Sequence, residues 1–556
     1  MPEVIIDNLD LWTSALLAKS TAGRGSNGKL EAYGIKKLRE LILELAVRGR
    51  LVPQDPKDEP ASALLKKVEK EKARLVQAGK IVKQKPLPPL NDEEKYFDLP
   101  NGWEWIRFGN IFELEYGSNL PEAKRTNTGE YPVYGSNGVV GSHKSFCVNQ
   151  PCIVVGRKGS AGALNLCLND GCWVTDVAYS VVPPTDMDLN FVFKLFHTLG
   201  LDNLGKGIKP GLNRNEAYVL PLAIPPLNEQ QRIVAKVDEL MALCDQLEQQ
   251  QTNSIAAHQT MVETLLGTLT CVESQQEFSA AWARIASHFD TLFNTEASID
   301  QLKQTILQLA VMGKLVPQDS NDENVQALLV RNDLRRREVA ESDRRADVEP
   351  QNILSPDDRW AIPASWDWRG LADLVLFVDY RGKTPIKQSR GIRLLTAKNV
   401  RRGQIDLMPE EFLAEQEYKD WMTRGLPKVG DVLFTTEAPM GNAAVVELTE
   451  RFALAQRVIC FQNYGALDPA FLVMQILSNQ FQCILDKNGT GMTAKGIKAS
   501  KLKQLPIAVP PLTEQHRIVA KVDEIMALCD ALKARLADAK TTQIHLADAI
   551  VEQAVC

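Results

Sequence analysis

At 556 residues the chain is too long for a single core and is expected to divide into about three or four domains. An apolar fraction of 44% and a charged fraction of 24% exclude a disordered or fibrous chain. A net charge of −6 excludes a surface coated in positive charge, though not a local basic patch. No apolar run reaches the ~18 residues that span a bilayer, and the start MPEVIIDNLDLW lacks the basic and apolar regions of a signal peptide, so a cytoplasmic location is expected.

In chain order, residues 1–98 read as helix and linker. The spacing predicts a helix from Ile35 to Val47, stopped by Gly49 with Pro53 beyond. Just before it, GRGSNGKL (Gly23 to Leu30) approaches a phosphate-binding loop but ends in Leu30, without the hydroxyl that magnesium needs, and follows no strand; it reads as a surface loop. The helical segment 35–65 recurs at 299–329 with a constant offset of 264, and each copy is followed by a charged, breaker-rich stretch, 66–95 and 331–358. LPNGWEW (99–105) then matches IPASWDW (362–368), pairing Trp103 with Trp366 and Trp105 with Trp368 as core aromatics at two domain openings.

Two β-rich domains follow these openings, 99–227 and 362–510, with short apolar runs separated by Gly-, Asn- and Pro-rich turns. They share openings and closings but little sequence between. Each closes on the same stretch: LPLAIPPLNEQQRIVAKVDELMALCDQL (220–247) maps on LPIAVPPLTEQHRIVAKVDEIMALCDAL (505–532) at a constant offset of 285. Pro-Pro breaks the chain, Asn228 or Thr513 suits the N-cap, and Glu229 or Glu514 suits the helix dipole. Apolar residues then alternate at spacings of four and three: Ile233, Val237, Leu240, Cys244 and Leu247, and again Ile518, Val522, Ile525, Cys529 and Leu532. That is the seam of a long helix packed along another helix. The boundaries read as 1–98, 99–227, 228–361 (central helix, helical repeat and linker), 362–510 and 511–556 (C-terminal helix).

The strongest charge signal lies in the second β-rich domain. RGKTPIKQSRGIRLLTAKNVRR holds Arg381, Lys383, Lys387, Arg390, Arg393, Lys398, Arg401 and Arg402 and no acid, with Asn399 among them. Such a run can track phosphates, and Arg and Asn can read base edges. In the first domain the candidates are Lys124, Arg125, Ser136, Asn137, Lys144, Arg157 and Lys158, on short polar loops able to approach a duplex. KGIK occurs in both, giving Lys206 and Lys209, and Lys495 and Lys498. Cys147, Cys152, Cys167 and Cys172 are spaced C-x4-C-x14-C-x4-C, wider than most zinc knuckles, and read as core thiols, with no metal site expected. No H-E-x-x-H, G-x-S-x-G or Cys/His nucleophile pair is present, and the Pro-Pro pairs are not an amino-methyltransferase motif. The chain is not expected to be an enzyme.

P-P-L-x-E-Q-x-R-I-V-x-K-V-D-E at 225–239 and 510–524, downstream of two domains opening with W-[ED]-W, resembles the specificity (S) subunit of type I restriction–modification enzymes. The N-terminal stretch AGRGSNGKLEAYGIKKLRELILELAVRGRLVPQDP resembles the branch called type IB. The resemblance implies an α+β chain with two pseudo-two-fold-related α/β target recognition domains separated by long antiparallel coiled-coil helices. Each domain would read one half of an asymmetric bipartite site in double-stranded DNA, the helices setting the spacer. It also implies two modification subunits, which bind S-adenosylmethionine and methylate adenine, and two restriction subunits, which use ATP and magnesium. No cofactor is expected in this chain. A helix from Asn228 to about Leu269 spans roughly 60 Å, enough to hold two reading heads one or two turns of DNA apart. The competing reading is a coiled-coil scaffold whose globular domains bind proteins, and it predicts no salt-sensitive DNA affinity.

Overall fold

The computed structural model describes residues 3–18, 30–79, 81, 84–126, 128–204, 211–272, 274–343, 346, 349, 353–354, 359–380, 385–455, 457–491 and 495–555. Its contacts divide into two units, Met1–Ser254 with Asp538–Cys556, and Ile255–Ala537. Both long helices, Leu227–Cys271 and Leu512–Val555, therefore contribute residues to both units. No helix among the described residues is long and apolar enough to cross a membrane.

In the first unit, the helix Tyr33–Val47 buries the stripe Ile35, Leu38, Leu41, Ile42 and Leu45. Against it lie Ile233, Val237, Leu240 and Cys244, all no more than 1% exposed, with Leu247 partly buried. The four–three spacing thus marks a packed face, as its periodicity requires. The C-terminal helix completes the layer through Ala547, Ile550 and Val551. Polar contacts fix the directions. Arg39 pairs with Asp245 and Glu248 (2.7 and 2.8 Å) while Gln54 reaches Glu229, so this helix runs opposite to the first long helix. Tyr33 donates to Asp548 (2.7 Å) and Arg48 to the Val555 carbonyl (2.7 Å), so it runs parallel to the C-terminal one. Within this unit the two long helices are antiparallel.

The second unit repeats the layer with the roles exchanged. Ile299, Leu302, Ile306 and Leu309 of the helix Glu296–Val311 pack on Ile518, Val522 and Cys529, with Ile525 and Leu532 partly buried, and on Val262, Leu266 and Leu269 of the first long helix. Lys303 pairs with Asp530 and Lys533 with Asp300 (2.9 Å), again an antiparallel match.

Each unit carries one β-rich domain, and the strand plans agree. Glu104–Arg107 pairs with Pro221–Ile224 to clamp the ends of the first domain; Asp367–Gly370 and Pro506–Val509 do so in the second. A four-stranded antiparallel sheet follows, ordered Glu115–Tyr116, Ala178–Val181, Cys152–Gly156, Leu164–Cys167, and in the second domain Val375–Asp379, Val458–Asn463, Val432–Thr435, Ala443–Val445. A three-stranded sheet follows the same pattern, with its central strand paired antiparallel on one side and parallel on the other: Gly138–His143, Tyr131–Gly135, Trp173–Val174, and Phe412–Leu413, Ile392–Leu395, Phe452–Leu454. The sequences between the shared openings and closings differ, yet both build one topology. What they share is short apolar strands broken by turn residues, which is enough to specify strand positions without identity.

The junction of helix layer and β-rich domain is also duplicated. Glu229, 1% exposed, accepts from the Trp103 indole (3.1 Å) and from Gln54 (3.3 Å). Glu514, also 1% exposed, accepts from Gln318 (2.5 Å), with buried Trp366 in the place of Trp103. Burial pushes both carboxyls above their ordinary range. Beside them Arg232 binds Asp58 (2.7 Å), and Arg517 grips Asp322 through both nitrogens (2.8 and 2.6 Å). Asn228 and Thr513 are not N-caps as their residue types suggested. The helices already begin at Leu227 and Leu512, and these side chains turn instead to Asp58 (3.1 Å) and Asp322 (2.5 Å).

The hydrogen bonds from Arg232 and Arg517 hold Asp58 and Asp322 below the usual carboxylate range. A depressed folded-state value adds stability above the unfolded value, and that stability is lost as pH falls through the folded one. Asp58→Ala and Asp322→Ala should each cost on the order of 1 kcal/mol in denaturant titration at neutral pH, since solvent reaches the arginines and screens the pairs. The gap to the parent chain should close on acidification through and below the carboxylate range.

Candidate nucleic-acid interface

In the first domain the fully buried strand Cys152–Gly156 delivers the chain into the loop Arg157–Ser160. Gly156 is required there, since an added Cβ would lie 2.0 Å from the Ser160 carbonyl oxygen and 2.4 Å from that of Ser136. Ser136 and Asn137 form the two-residue tip of the hairpin between Tyr131–Gly135 and Gly138–His143. The tip therefore sits on the Arg157–Ser160 loop, and Ser136, Asn137, Arg157 and Lys158 share one surface. The backbone amides of Arg157 and Lys158 both donate to Val177 (2.9 and 3.0 Å), and Leu212 donates to the Arg157 carbonyl (2.8 Å). Lys206 and Lys209 lie outside the described residues, but the segment that carries them rejoins at Gly211, bridged to Lys158.

Two residues not singled out from sequence belong to this surface. Tyr116 is 52% exposed, and the guanidiniums of Arg157 and Arg214 lie 4.7 and 4.8 Å from its ring centroid. Arg157 also donates to the Asp176 carbonyl (2.9 Å), leaving part of its fork for a ligand. The signal was weak, because a Tyr before Gly117 and an Arg within a short helix come together only through the sheet order. Lys124 ends the short helical turn Glu122–Lys124, Arg125 follows it, and Lys144 follows the strand Gly138–His143. Lys124 and Lys144 are exposed, and Arg125 leans back on the Val140 carbonyl (3.4 Å).

The second domain repeats these loops with other side chains. The Thr435 amide donates to Asn442 (2.9 Å) as that of Gly156 does to Ala163 (2.7 Å), and the Ile497 amide to Thr436 (3.0 Å) as that of Leu212 does to Arg157. Glu437 is bridged to Gly496 as Lys158 is to Gly211. Arg157 and Lys158 are thus replaced by Thr436 and Glu437, and Glu437 is paired with Arg457 (2.6 Å), a residue held at φ +74°. The correspondence places Gly496 opposite Gly211, so the two KGIK segments are out of register by four residues. Of that segment, Lys495 pairs with Asp486 (3.3 Å) and Lys498 is exposed.

The basic run is not a row of free cations, because part of it is paired within the fold. Arg381 and Lys383 lie outside the described residues. The run holds no acid of its own, but tertiary structure supplies several: Lys387 pairs with Glu411 (2.8 Å), Arg393 with Glu410 (3.2 Å) and Glu450 (3.0 Å), and Arg401 with Asp406 (3.3 Å). Arg402 donates to the Leu477 carbonyl (3.1 Å). Arg390 and Lys398 are exposed and have no ion pair among the described residues. Asn399 is not a base reader. It is 1% exposed, accepts from the Thr396 amide and hydroxyl (both 2.9 Å), and donates to the carbonyls of Asp406 (2.9 Å) and Pro409 (3.2 Å). With both ends of its amide satisfied inside the loop, it shapes that loop and reaches no ligand.

Two unlike loop clusters thus stand on matched frames, and each bears an exposed cation, Lys158 and Lys498, of the kind that a paired nucleic-acid recognition protein turns to phosphates. Comparison with known proteins gives the family. The model described as "Type I restriction modification DNA specificity domain" matches residues 100–257 and 419–539. The chain is 38% identical over 593 residues to the type I restriction enzyme EcoAI specificity subunit of Escherichia coli, and 35% identical over 607 to the EcoEI specificity subunit, covering 100% of this chain and 99% of each relative. The chain belongs to the type I restriction enzyme specificity subunits. A structure titled as that of the HsdS subunit from Thermoanaerobacter tengcongensis aligns over 83% of this chain and 98% of its own, at 17% identity and a TM-score of 0.40.

The unpaired and paired cations should separate experimentally. Arg390→Ala and Lys398→Ala should each lower the slope of log affinity against log salt by about 1 for DNA binding by the assembled complex, without altering stability. Arg393→Ala should destabilise the chain instead, because it leaves Glu410 and Glu450 facing one another, and thermal unfolding would show it.

Proposed function

We propose that each β-rich domain reads one half of an asymmetric, bipartite site in double-stranded DNA. The observation that carries this is the correspondence of the two loop clusters. Equivalent backbone positions present Arg157 and Lys158 in one domain and Thr436 and Glu437 in the other. Arginine and lysine favour the acceptors of guanine, and a carboxylate favours the donor of cytosine, so the two clusters suit unlike half-sites. The two long helices, each shared by both units, set the spacer, and their repeated surfaces dock two modification subunits. Two restriction subunits complete the assembly. S-adenosylmethionine, ATP and magnesium serve those partners. This chain is the non-catalytic part, and its contribution is choice of sequence.

Exchange of residues 99–227 for the corresponding domain of another family member tests the reading. Methylation-site mapping of host DNA by single-molecule sequencing should show one half of the recognised sequence changed, with the other half and the spacer kept. A change in both halves would refute separate reading. Salt-insensitive or absent DNA binding by the parent complex would favour the protein-binding scaffold.

A further inference from the structure

The first β-rich domain has a second, small core that its sister lacks in this form. It comprises seven buried residues, Tyr134, Cys152, Val154, Cys167, Cys172, Val174 and Ala178, three of them cysteines. The matching core of the second domain holds twenty buried residues, of which one, Cys460, is a cysteine. Seven side chains remove little apolar surface from water, and cores of that size are commonly reinforced by a disulfide or a metal. Yet this core must hold the three-stranded sheet, and with it the Ser136–Asn137 tip, against the strand Cys152–Gly156.

The three sulfurs are close enough for a metal to replace the missing packing. Cys152, Cys167 and Cys172 offer ligand atoms all within 4.8 Å of one another, and Cys152 and Cys172 are 3.7 Å apart. A tetrahedral zinc–thiolate site with bonds of about 2.3 Å has sulfur–sulfur edges of about 3.8 Å. The cysteines come from separate elements. Cys152 faces Cys167 across paired strands of the four-stranded sheet, and Cys172 precedes the strand Trp173–Val174 of the other sheet. This accounts for a spacing unlike that of a knuckle, where ligands share a single turn. Tyr134 is buried in the same cluster as the three sulfurs.

Cys147 stands beside them. Its amide donates to the Cys172 carbonyl (3.0 Å), and its sulfur accepts from the Val174 amide (3.2 Å). We propose that Cys152, Cys167 and Cys172 bind a structural Zn²⁺, with Cys147 turning inward as the fourth ligand and each ligating thiol releasing its proton to solvent. The ion joins the two sheets beneath the Ser136 and Arg157 loops. The second domain does the same with apolar side chains.

The test uses the full chain in complex with its modification partner, purified without chelator and under reducing conditions. Elemental analysis should find about one zinc per chain, and exchange into Co²⁺ should give the visible absorption of tetrahedral thiolate-bound cobalt. Cys167→Ser should lower zinc at least five-fold, and Cys460→Ser should leave it unchanged. Cys147→Ser should weaken retention against a competing chelator, and unchanged retention would remove Cys147 from the site. Should Cys167→Ser fail to fold, zinc content and the cobalt spectrum of the parent complex still decide. A metal-free parent with its thiols all free, or with Cys152 and Cys172 joined in a disulfide, would overturn the proposal.

Discussion

The buried carboxylates Glu229 and Glu514 set much of this architecture. Each sits in the first turn of a long helix and accepts hydrogen bonds from the helical repeat, through Gln54 or Gln318; Glu229 also accepts from Trp103, which opens its β-rich domain. Taking a carboxylate from water at this depth is costly, and these donors offset part of that cost. The first turn also presents free backbone amides, which favour negative charge there. Helix layer and long helix are thereby locked together in both copies, and in the first copy the domain opening is locked with them.

That fixed junction frees the loops to vary. The clamping strands hold the two ends of each β-rich domain beside each other, and the sheets set the positions of the turns. What those turns carry does not affect the frame. Arg157 and Lys158 in one domain can therefore answer Thr436 and Glu437 in the other without disturbing strand order. The same freedom extends inward. Where one domain fills its second core with apolar residues, the other gathers three cysteines, and the same sheet pairing results.

Much of the frame was legible in the sequence. The offsets of 264 and 285 recur in the contacts, since Arg39 meets Asp245 as Lys303 meets Asp530, and Asp58 meets Arg232 as Asp322 meets Arg517. The spacing of four and three located the seams because helical periodicity is a local property. The site was less legible. The basic run read as eight free cations because its counter-charges, Glu410, Glu411 and Glu450, lie up to about sixty residues further along. Asn399 read as a base reader because residue type alone does not reveal burial. The repeated KGIK suggested equivalence where backbone pairing sets Gly496 against Gly211. Nothing local marks the approach of Arg214 to Tyr116, which the fold alone brings about.

By itself the sequence determined the duplication, the helix faces, the positions of strands and turns, and the family, since all of these rest on local periodicity and on repeats that survive reading in one dimension. Only the tertiary structure decided which cations remain exposed, which polar residue is spent on shaping a loop, and which loops share a surface. It also decided that three cysteines up to twenty residues apart meet within 4.8 Å. The physical reason is the same in each case: ion pairing, burial and sulfur proximity depend on distances across strands, and those distances are fixed by sheet order and register, not by spacing along the chain.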